Sequence, residues 1–165
     1  MPGRLLGRRD APLSDEGRAA VERQVRGRAW SAIVTSPLGR ARETADIAAR
    51  VSSAPIEIAP DWQEIDFGAW DGAPMHDVRR RIGRALDDLA TRDSGPVLVV
   101  AHGGAIRVAL SIVLAIPFER LWAVRLGCAT RITVEMGRSA SHGLWGEIVE
   151  IAQPVSIPAT GKENE

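Results

Sequence analysis

Three side chains whose types could bind an anion or move a proton stand far apart in this 165-residue sequence: His102, Arg40 and Glu64. His102 closes the apolar run Val97-Leu98-Val99-Val100-Ala101 and is followed by Gly103 and Gly104. Such a run predicts a strand buried on both faces, as in a parallel sheet. The glycines let the backbone turn, and Ala105 to Leu114 reads as a helix. The imidazole is thereby placed between a strand's carboxyl end and a helix's amino end. Unpaired N–H groups and the positive end of the helix dipole favour a phosphate or carboxylate there. The plainer alternative is a histidine that terminates a strand and finds a carbonyl partner.

Arg40 has a similar address. Ala32 to Thr35 reads as a short buried strand that breaks at Ser36-Pro37, and a helix from about Leu38 to Val51 carries Ala41, Ala45 and Ala48 on one side. Arg40 falls in its first turn. Two such strand ends in one parallel sheet share an edge, so Arg40 and His102 are expected to converge. A guanidinium offers a phosphate a bidentate fork; Arg42 points elsewhere and reads as solvated.

Glu64 belongs to Asp61–Gly72, DWQEIDFGAWDG, where Trp62, Phe67 and Trp70 supply anchoring rings and Gly68 and Gly72 permit tight turns. An aromatic-pinned loop holding a carboxyl suits a general acid, because partial burial raises the pKa. The same residues equally describe a loop tacked to the core, with Glu64, Asp66 and Asp71 in water.

The remaining elements must position these groups. Ser14 caps a helix that Gly27 ends, with Asp15 and Glu16 in its first turn and Ala19, Ala20, Val21 and Val25 inward. Ile56 to Ile58 reads as an edge strand. Met75 to Thr91 is a packing helix, its apolar side at Val78, Ile82, Ala85, Leu86 and Leu89 and its solvated side at Arg79, Arg80, Arg81 and Arg84. Pro117 to Trp122 forms a short turn. Thr130–Val134 and Glu147–Ile151 read as late strands joined by a Gly- and Ser-rich loop around His142. His142 and His76 read as exposed bystanders.

Composition narrows the function classes. Lys+Arg and Asp+Glu are both 21, so no net basic field holds nucleic acid or an anionic membrane. Cys128 is the only cysteine, which excludes an internal disulfide and a cysteine-based metal site and fits a reducing cytoplasm. No apolar run approaches the roughly 20 residues that span a bilayer, and the opening has no signal-peptide core. Residues 1–153 read as one domain and 154–165 as a disordered tail.

TSPLGRARETA (Thr35–Ala45), EIDFGAWDG (Glu64–Gly72), VVAHGGAIR (Val99–Arg107) and the opening GRLLGRRDAPLSDEG (Gly3–Gly17) together resemble the histidine phosphatase superfamily, also called phosphoglycerate mutase-like. The wording of EIDFGAWDG is nearest to alpha-ribazole phosphatases. The resemblance implies a three-layer α/β/α fold with a mostly parallel central sheet and a small phosphorylated metabolite as substrate. It leaves room for a homodimer. It also implies that Arg40 clamps phosphate, Glu64 protonates the leaving group and His102 holds the phosphoryl oxygens beside Gly103, with Arg4 and Gly7 lining the substrate mouth. No metal or other cofactor is implied, since phosphoryl transfer asks mainly for positioning and positive groups.

Two departures accompany the resemblance. Members of the family begin with an interior strand ending in Arg-His-Gly, whose histidine becomes phosphorylated, and no Arg-His-Gly occurs here. The stretch between Gly72 and Val78 is also short, which implies a reduced cap and a more open mouth. An interior strand's absence strands backbone groups that each cost about 1–3 kcal/mol when buried unpaired. Three resolutions follow: a strand upstream of Met1, closure of Thr130–Val134 directly on Val97–Ala101, or a strand from another chain. Two functions therefore stand side by side: a phosphatase completed by that strand, and a phosphatase-like protein that only binds a phosphorylated small molecule. An esterase reading of His-Gly-Gly requires a Gly-x-Ser-x-Gly elbow, which the sequence lacks, and nucleotide-binding glycine motifs are lacking too.

Overall fold

A computed structural model describes residues 10–65, 75–93, 95–141 and 143–154. Ser14 accepts the Gly17 N–H at 3.1 Å and starts α1 (Asp15–Val25). Gly27 then takes a positive φ of 69°, a conformation open to glycine at little cost. β1 (Ala32–Thr35) leads into α2 (Gly39–Ser52), and β2 (Ile56–Ile58) into a 3₁₀ turn at Pro60–Trp62. α3 (Met75–Ala90), β3 (Val97–Val100) and α4 (Gly103–Val113) follow. A second 3₁₀ turn (Phe118–Ala123) precedes the hairpin β4 (Arg131–Ser139) and β5 (Gly143–Ala152).

The first three strands form a parallel sheet in the order β2-β1-β3. Alternation along β1 divides the core into two layers. Ile33 faces α1 and α2, packing with Val21, Val25, Ala45 and Ala48. Val34 faces the other side, with Ile82 and Leu86 of α3 and Ala105 and Val108 of α4. The result is the expected α/β/α layering. Small alanines on α2 let its backbone approach the sheet, and the arginine side of α3 is tied down locally, Arg79 donating to Ser111 Oγ at 2.9 Å and Arg80 to Asp77 at 2.8 Å.

Two features differ from the sequence reading. The hairpin strands are longer than expected and turn tightly, because Met136–Ser139 pairs with Gly143–Gly146 where a loop was anticipated. More consequentially, β3 is less buried than expected: Leu98 packs toward α1 and α2 and Val97 and Val99 toward α3 and α4, yet all three are only partly buried. β4 does not close on β3 but pairs with β5 in a separate two-stranded sheet, which overturns the direct closure considered above. A cavity of about 460 Å³ lies between them. Its walls include Val97–Ala101 on one side and Ala129–Ile132 on the other, with Val21 and Val25 of α1 and Ala109 and Val113 of α4 also lining it. Thr130 Oγ1 and Arg131 Nε, on residues of that wall, are buried without a hydrogen-bond partner among the described residues. The short stretch after Gly72 and the tail from 155 onward lie outside the described residues, as does His142.

Ile33 is fully buried at the centre of the sheet. Ile33→Ala is expected to cost about 2–5 kcal/mol, read from the urea midpoint, because the strand backbone cannot collapse into the cavity left behind.

Candidate active site

Parallel pairing places Thr35 opposite Val100, so the chain leaves β1 and β3 at the same sheet edge. Ser36 follows Thr35, and its N–H donates to the Val100 carbonyl at 2.9 Å. His102 is the N-cap of α4. Its Nε2 lies 2.7 Å from Ser36 Oγ, and both residues are buried. Ser36 Oγ already accepts the Leu38 N–H at 3.3 Å, which leaves its own proton for the imidazole. A neutral ring can accept that proton. Burial, first, and the Arg40 charge, second, lower the His102 pKa from 6.5 to about 4, with Asp10 opposing them weakly.

Arg40 sits in the first turn of α2, its side chain 18% exposed. That turn lacks a cap from its own N-cap residue, Leu38. Asp10 supplies one from a distance: its carboxylate accepts Gly39 N–H at 2.6 Å and Arg40 N–H at 3.3 Å, and lies 3.7 Å from Arg40 Nη1. These bonds hold the Asp10 carboxyl below the usual carboxylate range, the Gly39 N–H foremost.

Glu64 meets α4 in the same manner. Its Oε1 accepts N–H groups from Ile65 at 2.8 Å and Ala105 at 3.2 Å, and Oε2 is reached by Gly104 N–H at 3.4 Å. Gly104 is required for this approach, since a Cβ there would come within 2.6 Å of Glu64 Oε1 and 2.9 Å of Ile65 Cδ1. Of the anchoring rings expected around Glu64, Trp62 is buried in the α3–α4 core; Phe67, Trp70, Asp66, Asp71, Gly68 and Gly72 lie outside the described residues.

His102, Arg40 and Glu64 therefore stand at one end of the sheet; convergence of Arg40 with His102 was expected from the strand ends, whereas the place of Glu64 was left open. The expectation of open N–H groups facing an incoming anion holds only in part, because carboxylates of the protein take the Gly39 and Arg40 N–H groups of α2 and the Gly104 and Ala105 N–H groups of α4. Gly103 opens α4, and its carbonyl accepts Arg107 Nη1 at 3.0 Å. Arg4 and Gly7 lie outside the described residues.

Three contributors were not singled out from sequence. Ser36 enters the sequence reading only as a strand breaker, and Asp10 only as a member of the opening motif Gly3–Gly17. Arg107, buried, also donates to the Leu121 and Val124 carbonyls and lies 4.4 Å from the Trp122 ring centroid. It ties the second 3₁₀ turn to the start of α4. The one available signal for Ser36 was its place directly after a strand end, which Arg40 and His102 share within five residues.

The sequence profile of the histidine phosphatase superfamily (branch 1) matches residues 2–77 and 71–144. An uncharacterized phosphatase of Bacillus subtilis is 34% identical over 127 residues, covering 64% of this chain and 66% of that protein. In structure, the chain is similar to the YhfR protein of Bacillus stearothermophilus (TM-score 0.72, 23% identity, 88% of this chain and 87% of the other). It is also similar to the alpha-ribazole phosphatase of Shigella flexneri (TM-score 0.71, 16% identity, 86% and 84%).

The buried imidazole makes stability depend on pH. Because His102 titrates near 4 in the fold and near 6.5 when unfolded, the unfolded chain binds more protons between those values. Its contribution is complete above pH 7, lost as pH falls toward 4 and flat below, on the order of 3 kcal/mol in all. Urea unfolding across pH 4–8 should show this slope, and His102→Gln should flatten it. Gly104→Ala should lower the melting temperature by several degrees, because its Cβ displaces the Glu64 carboxyl.

Proposed function

The chain belongs to the histidine phosphatase superfamily, branch 1, and we propose that it provides the substrate-gripping part of a phosphomonoester hydrolase acting on a small phosphorylated metabolite. The observation that carries this reading is the meeting of a guanidinium, an imidazole and a carboxyl at one sheet edge. In this reading Arg40 holds the non-bridging phosphate oxygens through its planar fork. His102 takes up a proton as the phosphate dianion approaches, since an adjacent negative charge favours the imidazolium, and stabilises the charge spreading over the equatorial oxygens. Glu64 donates a proton to the leaving alcohol, and Gly103 lines the phosphate.

The covalent step needs a nucleophile beside these groups. The resemblance supplies it as a histidine at the end of a strand, and the cavity beside β3 supports that placement: a strand lying there parallel to β3 ends at the edge that holds His102. An imidazole nitrogen bonds to phosphorus as the phosphorus–oxygen bond to the alcohol breaks, and water later cleaves the nitrogen–phosphorus bond. Arg4 and Gly7 are assigned to the mouth. The wording of Glu64–Gly72 favours alpha-ribazole 5'-phosphate among such metabolites, and a reducing cytoplasm is the setting proposed.

That, among the described residues, no strand pairs with the edge of β3 away from β1 favours a second reading: a phosphatase-like binder that grips phosphate at Arg40 and His102 without forming the covalent intermediate. Hydrolysis of p-nitrophenyl phosphate and calorimetry with inorganic phosphate separate the two. Steady hydrolysis that disappears in His102→Ala supports the enzyme. Phosphate binding without hydrolysis supports the binder, and an inactive chain extended upstream through an Arg-His-Gly strand would rule the enzyme out. In either case Arg40→Ala should weaken phosphate at least about tenfold; unchanged affinity defeats both readings.

A further inference from the structure

We propose that Asp10 is the positioning residue for Arg40, locking the first turn of α2 so that the guanidinium is aimed at the phosphate position beside His102. The inference rests on the phosphate-binding reading of that edge and assigns a role that reading does not contain.

The segment that follows Asp10 is fastened to α2. Three residues on, Leu13 N–H donates to Glu43 Oε2 of α2 at 3.0 Å, and Glu43 in turn receives Arg18 Nε of α1 at 2.5 Å. The segment carrying Asp10 is thus strapped across α2 before the carboxylate reaches its target. The carboxylate then spends its short bond on the backbone, 2.6 Å to Gly39 N–H, and keeps the Arg40 guanidinium at 3.7 Å. That separation makes the carboxylate a neighbour of the cation and not one half of a tight bidentate pair with it. Residue 39 enforces the arrangement: a Cβ there would stand 2.7 Å from Asp10 Oδ2. An acid beside an anion site is otherwise unfavourable, because it repels the ligand. Its presence is accounted for if what it gains in Arg40 geometry exceeds that repulsion.

The two effects have opposite signs, which makes the role testable. Charge repulsion alone predicts that Asp10→Asn binds inorganic phosphate more tightly; positioning predicts about tenfold weaker binding. Gly39→Ala keeps the charge and displaces the carboxyl, so it should weaken phosphate similarly. Combining Asp10→Asn with Arg40→Ala should be no worse than Arg40→Ala alone. A second readout does not require phosphate. Asp10 raises the His102 pKa and Arg40 lowers it by more. If Asp10→Asn releases Arg40, the His102 midpoint followed by proton NMR rises; if only a charge is lost, it falls.

Weaker phosphate in both single variants, non-additivity with Arg40→Ala and a raised His102 midpoint support the proposal. Equal or tighter phosphate binding in Asp10→Asn, additive losses, or a lowered midpoint overturn it. A wild-type chain that fails to bind phosphate defeats the functional reading instead, and the His102 midpoint still decides Asp10. Gly39→Ala serves if Asp10→Asn gives no melting transition.

Discussion

Parallel pairing of β1 with β3 governs the distances in the candidate site. With Thr35 opposite Val100, the chain leaves both strands at one level, and the turn after each must satisfy its backbone within a few residues. Ser36 does so for one strand by donating to the Val100 carbonyl, and its hydroxyl then meets His102. A shift of one residue in this register would carry the two side chains to opposite faces of the sheet. The imidazole is held by strand pairing first and by its own contacts second.

Around that frame the two helix N-termini have been treated alike. Each concentrates partial positive charge and unpaired N–H groups, and each is closed by a carboxylate from a segment outside the helix, Asp10 on α2 and Glu64 on α4. Both acids approach a glycine that leaves no room for a side chain, Gly39 and Gly104. The consequence is electrostatic. With these donors turned to the protein's own acids, Arg40 stands beside the buried His102, and Glu64 is held against the first turn of α4 in a fixed pose.

Much of this was legible in the residues because it is local. The apolar run ending at His102, the Ser36-Pro37 break, the alanine face of α2 and the Ser14 cap each declare an element through periodicity or backbone chemistry, and the elements formed within a few residues of where they were read. Strand ends facing one edge of a parallel sheet then follow from topology, which is why Arg40 and His102 were brought together correctly. Less legible were partners chosen by packing. Asp10 is 29 residues from Gly39, and in sequence it resembles any acid in a basic loop. The same holds for Glu64, whose surroundings admitted both an exposed loop and a held carboxyl until α4 was seen to end against it. The hairpin was misjudged for a related reason: glycines and serines at Met136–Gly143 suggest a loop, yet cross-strand pairing with Leu144 and Trp145 extends both strands through them.

The sequence by itself determined which segments become helix and strand, the layered α/β class, and that Arg40 and His102 follow strand ends at one sheet edge, because hydrophobic period and turn chemistry act over short distances. Only the tertiary structure decided that the protein's own acids take N–H groups at both helix N-termini, that Ser36 stands against the imidazole, and that, among the described residues, β4 pairs with β5 and not with β3, leaving a cavity between them. Those outcomes depend on which distant surfaces reach one another, and the competition between pairing β4 with β5 and pairing it with β3 is settled by the packing of the whole chain, which no window of residues contains.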